Sequence, residues 1–235
     1  MLLIRRDAEI FRIDGGWFTA RWHFSFDTYR DPENMGWGPL RVFNDDRLIP
    51  GAIWPLHPHS DIEGITYVVE GTFRHEDNLG TGGILPAGSV QRMSMGTGAW
   101  HSEQNASETE PMRFIQMWIL PAQRGLSPSV EQKVFTTQER TDQLLEVLSP
   151  GGGDAVTVHR DARVLVARLN PGAEVEHTFG DGRGGYLYLI EGLISANAEK
   201  LETGDAAKIR DESSLTLRAA DTSELILVEV PLDQD

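Results

Sequence analysis

Short apolar or alternating runs, each closed by Gly, Pro, Asn or Asp, recur along the whole 235-residue chain. Gly64 to Glu70 (GITYVVE), Phe114 to Leu120 (FIQMWIL), Arg163 to Leu169 (RVLVARL), Tyr186 to Ile190 (YLYLI) and Leu225 to Val230 (LILVEV) are of strand length and rich in β-branched or aromatic residues. Segments of this kind bury an apolar face by pairing side by side, so the pattern predicts an all-β chain of many short strands joined by turns. One stretch reads as helix. Thr136 and Glu139 have capping-box spacing, and Glu139 to Leu148 ends against Ser149, Pro150 and three glycines.

The two halves repeat one another faintly. Ile65 to Gly71 (ITYVVEG) lies on Tyr186 to Gly192 (YLYLIEG), Pro86-Ala87-Gly88 on Glu202-Thr203-Gly204, and Phe114 to Pro121 on Glu224 to Pro231. Two copies of one β unit are therefore expected: an N-terminal domain over 1–135, a helical connector and hinge over 136–154, and a C-terminal domain over 155–235. All six tryptophans lie at or before Trp118, which leans a ligand pocket toward the first half.

Composition excludes several classes. Lys and Arg total 21 against 36 Asp and Glu, a formal charge of −15 that does not suit a phosphate-backbone binder, so no direct nucleic-acid contact is expected. There is no cysteine, hence no disulfide, thiolate metal site or cysteine nucleophile, and any metal must be held by nitrogen and oxygen. Met1 to Ile4 is too short for a signal-peptide core and no run is long enough to span a membrane, which leaves the cytoplasm as the default location.

Among seven histidines, the spacing of two pairs is informative. His57 and His59 are two residues apart, and His101 and Glu103 repeat that separation. On a strand, positions i and i+2 share a face. If both pairs face the interior of one barrel, three nitrogens and one oxygen converge, a suitable shell for a divalent first-row metal with positions left open. His75 and Asp77 share the spacing, but the following Asn78-Leu79-Gly80 is turn chemistry and predicts a solvated hairpin end. His23, in the aromatic run Trp22 to Phe26, reads as a core or pocket-edge residue.

Gly51 followed by His57, His59, Glu63 and Gly71 is similar to the first cupin motif, and Pro86-Ala87-Gly88 to the Pro-x-Gly turn of the second. The run Trp54 to Val68 (WPLHPHSDIEGITYV), then Asp77-Asn78, Val90 to Ser94 (VQRMS) and Gly96-Thr97-Gly98 before His101-Ser102-Glu103, resembles the pirin family, bicupins that include bacterial quercetin 2,3-dioxygenases. The resemblance covers roughly Val42 to Leu120. It implies a bicupin fold and metal ligands at His57, His59, His101 and Glu103. Gln91 stands where a general cupin has a histidine ligand, as in pirins, and His101 takes that part. Glu63 keeps the acidic position of the first motif and reads as a carboxylate behind the ligands or a structural one, with a place among the ligands as the alternative. In the second half Leu215 and Leu217 fall opposite His101 and Glu103, and Thr178 and Gly180 near His57 and His59, so that half is expected to bind no metal.

The activity the resemblance implies is O₂-dependent opening of a flavonol heterocycle with release of carbon monoxide, using one divalent metal per chain. Iron(II) is expected, and nickel, cobalt, manganese, copper or zinc could fill the same ligands. Glu103 is then the base for the flavonol 3-hydroxyl. Two other readings share those ligands: a non-enzymatic, metal-dependent protein that binds a regulatory partner, and a cupin dioxygenase of another small aromatic.

Overall fold

The structure, a computed structural model, describes residues 1–232 and is built almost wholly of β-strands. The chain forms two compact units. One contains residues 11–134 and 156–160; the other contains 1–10, 135–155 and the chain from Asp161 onward.

In the first unit the larger sheet runs in the order Ser129–Val134, Ser89–Ser94, Glu63–Glu70, Met112–Ile119, Leu40–Leu48, Phe18–Trp22, Phe11–Asp14, every neighbour antiparallel. The smaller sheet has the order Ile53–His59, Ala99–Asn105, Thr72–Asp77, Gly83–Pro86. Leu48, Val68, Met112 and Phe114 from the larger sheet pack with Phe73 and Leu85 from the smaller one, so the inner faces meet as a β-sandwich.

The second unit repeats this plan. Ala206–Ile209, Arg183–Glu191, Ser223–Pro231 and Arg163–Leu169 lie side by side in that order, as Ser89–Ser94, Glu63–Glu70, Met112–Ile119 and Leu40–Leu48 do in the first. Glu174–Thr178, Ser214–Ala219, Leu193–Ala196 and Glu199–Glu202 form its smaller sheet. The turn glycines match as well: Gly88 (φ 86°) donates its N–H to the Val68 carbonyl and Gly204 (φ 89°) to that of Leu189, each at 2.8 Å. Both need a left-handed backbone that only glycine adopts without strain. The N-terminal strand Leu2–Arg5 belongs to the second unit, paired with Ala206–Ile209. Its core is aliphatic, with Leu187, Leu189, Leu215, Leu217, Leu225 and Leu227 fully buried.

The helix expected over Glu139 to Leu148 does not form. The capping contacts do: Glu139 accepts from the Thr136 N–H at 2.7 Å, and the Thr136 hydroxyl from the Glu139 N–H at 3.3 Å. They start only one turn of 3₁₀ helix, Gln138–Arg140, after which Asp142 takes a left-handed φ of 55°. Leu145–Ser149 is instead a strand paired with Arg163–Leu169, because edge pairing satisfies its backbone and buries Val147 and Leu148.

Candidate metal centre

His57 and His101 are directly opposite each other on adjacent strands of the smaller sheet. The register slips between His101 and Glu103, since Glu103 faces Trp54; one extra residue on the Ile53–His59 strand makes a bulge. The regular pairing on the other side of the slip, His101 opposite His57 and Ala99 opposite His59, brings the three rings together, with centroids 4.5 Å apart for His57 and His101, 4.9 Å for His57 and His59, and 5.4 Å for His59 and His101. One ring nitrogen from each lies within 4.8 Å of the others.

These imidazoles fit a cation. His57 donates Nδ1–H to the Pro55 carbonyl at 2.8 Å, which fixes its tautomer and leaves Nε2 as a lone-pair donor. His101 is only 5% exposed, yet neither of its ring nitrogens has a hydrogen-bond partner among the described residues. Such an orphaned buried imidazole is costly unless something else takes its lone pair. Burial and the neighbouring rings push His101 down to about 3 and, with His57, push His59 down to about 4. Both are therefore neutral imidazoles at physiological pH, with a nitrogen lone pair to offer.

Glu103 is buried and accepts Gln116 Nε2–H at Oε1, 2.6 Å away. Burial pushes its carboxyl up to about 7, against the lowering effect of that hydrogen bond. It lies with His57 and His59 in the wall of a cavity of about 670 Å³, whose remaining lining includes Trp22, Phe26, Trp54, Phe114 and Trp118. A cavity of this size suits a small aromatic molecule. Trp118 also packs edge-on against His59 at 4.6 Å.

Sequence reasoning missed two residues of that wall. Asn44 and Asp46 share one face of strand Leu40–Leu48 and line the cavity, while Asp45, on the other face, holds Arg113 through two bonds of 2.8 and 2.7 Å. Burial, then the Glu103 and Asp45 carboxylates, push Asp46 well above the usual carboxylate range. The available signal was Val42-x-Asn44-x-Asp46-x-Leu48, two polar residues in register with apolar inner positions.

The hairpin-end reading of His75 is corrected. Its side chain is fully buried, bonded through Nε2 to Asp77 at 2.8 Å and through Nδ1 to Gln91 at 3.1 Å, with its ring 5.7 Å from that of His101. Asp77 also takes the turn N–H groups of Leu79 and Thr81, so one carboxylate serves both the turn and the buried ring. Glu103 and Glu63 both lie outside the histidine group; Glu63 accepts from Ser94 Oγ, the His159 backbone N–H and His159 Nδ1 at 2.7, 2.8 and 2.7 Å. His23 is buried edge-on against Phe43.

In the second unit His177 is opposite Leu215. The sequence alignment set Thr178 near His57; the strand pairing puts His177 there instead, one residue earlier, with Leu215 in the place of His101. His177 gives Nε2 to Glu229 at 2.9 Å, and Arg183 also binds that carboxylate.

Two β-sandwich units of one topology, with a histidine cluster in the first and Leu215 and Leu217 at the places of His101 and Glu103 in the second, define a bicupin. The chain belongs to the pirin family: the Pirin family model matches residues 5–119, and that of the quercetinase C-terminal cupin domain matches 146–230. A pirin-like protein of Caulobacter vibrioides is 43% identical over 92% of this chain and 94% of its own length. Quercetin 2,3-dioxygenase of Escherichia coli K12 is 37% identical over 98% of this chain and 99% of its own. Among solved structures, YhhW from Escherichia coli superposes with a TM-score of 0.94 at 35% identity over the whole of both chains. The nickel(II) complex of that bacterial pirin superposes at 0.92, covering 98% of this chain and 99% of the other.

Proposed function

We propose that this chain is a metal-dependent dioxygenase that opens the heterocycle of a flavonol, consuming O₂ and releasing carbon monoxide. The observation that carries this reading is the orphaned His101, set beside His57 and His59 at the wall of an aromatic cavity. His57, His59 and His101 would hold a divalent metal through imidazole nitrogen and Glu103 through carboxylate oxygen. When bound, the metal supplies Lewis acidity and a meeting place for an electron-rich phenolate and O₂.

The chain's own residues do the rest. Trp22, Phe26, Trp54 and Trp118 offer flat apolar faces that bind and orient an aromatic ligand and displace water. Gln116 occupies Glu103 Oε1, which leaves Oε2 to shift between holding the metal and taking the proton of the ligand hydroxyl. The relatives' names agree with the chemistry, since several are called quercetin 2,3-dioxygenase. A small-molecule cavity of this size next to the histidines favours catalysis over a purely partner-binding role.

The test is oxygen consumption by protein reconstituted in turn with Fe(II), Ni(II), Co(II), Mn(II) and Cu(II), against a flavonol panel. Metal-dependent uptake with a flavonol is expected; no uptake with any metal would leave the partner-binding reading in its place.

A further inference from the structure

Trp22 and Asn44 are directly opposite each other on neighbouring strands of the larger sheet, both are 2% exposed, and both line the aromatic cavity. Trp22 Nε1 and Asn44 Oδ1 are each buried without a hydrogen-bond partner among the described residues. A donor and an acceptor left unpaired on two cross-strand neighbours are costly, since each has given up water for nothing. We infer that together they bind one phenolic hydroxyl of the ligand, which accepts from Trp22 Nε1–H and donates to Asn44 Oδ1.

A hydroxyl is the smallest group that answers both demands with one atom. A methyl ether at the same place can still accept from the indole but cannot donate, so it leaves Asn44 unpaired and adds a methyl group to a packed wall. Cavities built to hydrogen-bond a hydroxyl reject analogues lacking it much more strongly than apolar pockets reject an extra methylene. The position is also set. Asn44 is directly opposite Gln116 on its other side, and Gln116 holds Glu103, so the hydroxyl slot lies one strand beyond the residue that anchors the proposed base. Trp22 and Asn44 are thus positioning residues that read a hydroxyl other than the one presented to the metal.

This inference rests on the flavonol reading of the same cavity. Its test uses the full chain loaded with Ni(II), quercetin, and the set of quercetin mono-O-methyl ethers that keep the 3-hydroxyl free, with binding followed by tryptophan fluorescence. One ether is expected to bind the parent at least about tenfold more weakly than quercetin. In Asn44→Leu that difference should vanish, and the variant should melt about 2–4 °C higher because an unpaired buried amide has been replaced by a hydrocarbon of similar size. A purely structural Asn44 would lower Tm and leave the preference intact. Trp22→Phe, which removes the N–H side of the pair together with part of the ring, should weaken quercetin and every ether that retains the slot hydroxyl. Undiminished discrimination in Asn44→Leu overturns the hydroxyl slot alone; a parent protein that binds none of the flavonols overturns both the slot and the flavonol reading.

Discussion

Gln116 Nε2 donates to Glu103 Oε1 at 2.6 Å, and this bond aims a carboxylate in the wall of the cavity that His57 and His59 also line. Groups that orient a ligand typically matter 10–100-fold to metal affinity. Gln116→Leu, which keeps bulk and removes the donor, is expected to weaken metal binding by about that factor in a chelator-competition titration while His57, His59 and His101 remain in place. Unchanged affinity would mean that Glu103 is not a ligand.

Metal content should be about one ion per chain, from one set of four donors. His57→Ala or His101→Ala should strip it. His177→Ala should retain the full complement by elemental analysis while lowering Tm, because Glu229 loses a buried partner. Two ions in the parent, or full occupancy in His57→Ala, would show the ligand set to be wrong.

Metal uptake should release protons in a pH-dependent way. With Glu103 held up to about 7 in the metal-free protein, its carboxyl is mostly protonated at pH 6 and must ionise to bind, whereas at pH 8 it is already charged. His59 and His101, pushed down to about 4 and 3, are neutral at both pH values and release nothing. Calorimetry in buffers of different ionisation enthalpy should find about one proton more released at pH 6 than Glu103→Gln gives, and no such excess at pH 8. An excess at pH 8 that matches that at pH 6 would contradict the assignment.

Glu63 is expected to act through stability alone. It accepts three hydrogen bonds, two of them from His159, and so fastens residues 156–160 to the sheet that carries Glu63. Glu63→Gln keeps the shape but cannot accept all three, and should cost about 1–3 kcal/mol in denaturant unfolding. Metal occupancy should stay at the parent level; its loss would place Glu63 among the ligands.

How far the sequence speaks depends on how local each signal is. The pair His57-x-His59 and its partner His101 were readable because strand alternation alone puts i and i+2 on one face, and the structure adds the register that sets His101 opposite His57; the bulge that shifts Glu103 relative to them left no mark in the spacing. The repeat was readable because turn glycines such as Gly88 and Gly204 answer a local backbone demand. His75 was misread because its burial depends on Gln91, sixteen residues away on another strand. Asn44 and Asp46 were missed because only the register with Trp22 and Gln116 turns two polar residues on a strand into part of a cavity wall. Over Glu139 to Leu148 the local signal was correct for one turn, and strand pairing then overrode it.

The central claim is most directly tested by measuring carbon monoxide against quercetin consumed, in metal-reconstituted parent and Glu103→Gln proteins. One carbon monoxide per quercetin is expected from the parent. Turnover should fall by roughly 10²–10⁴-fold in Glu103→Gln at matched metal occupancy, as for loss of a general base. Glu103→Gln turning over at the parent rate would contradict the base assignment, and a parent that releases no carbon monoxide with any reconstituted metal would contradict the dioxygenase itself.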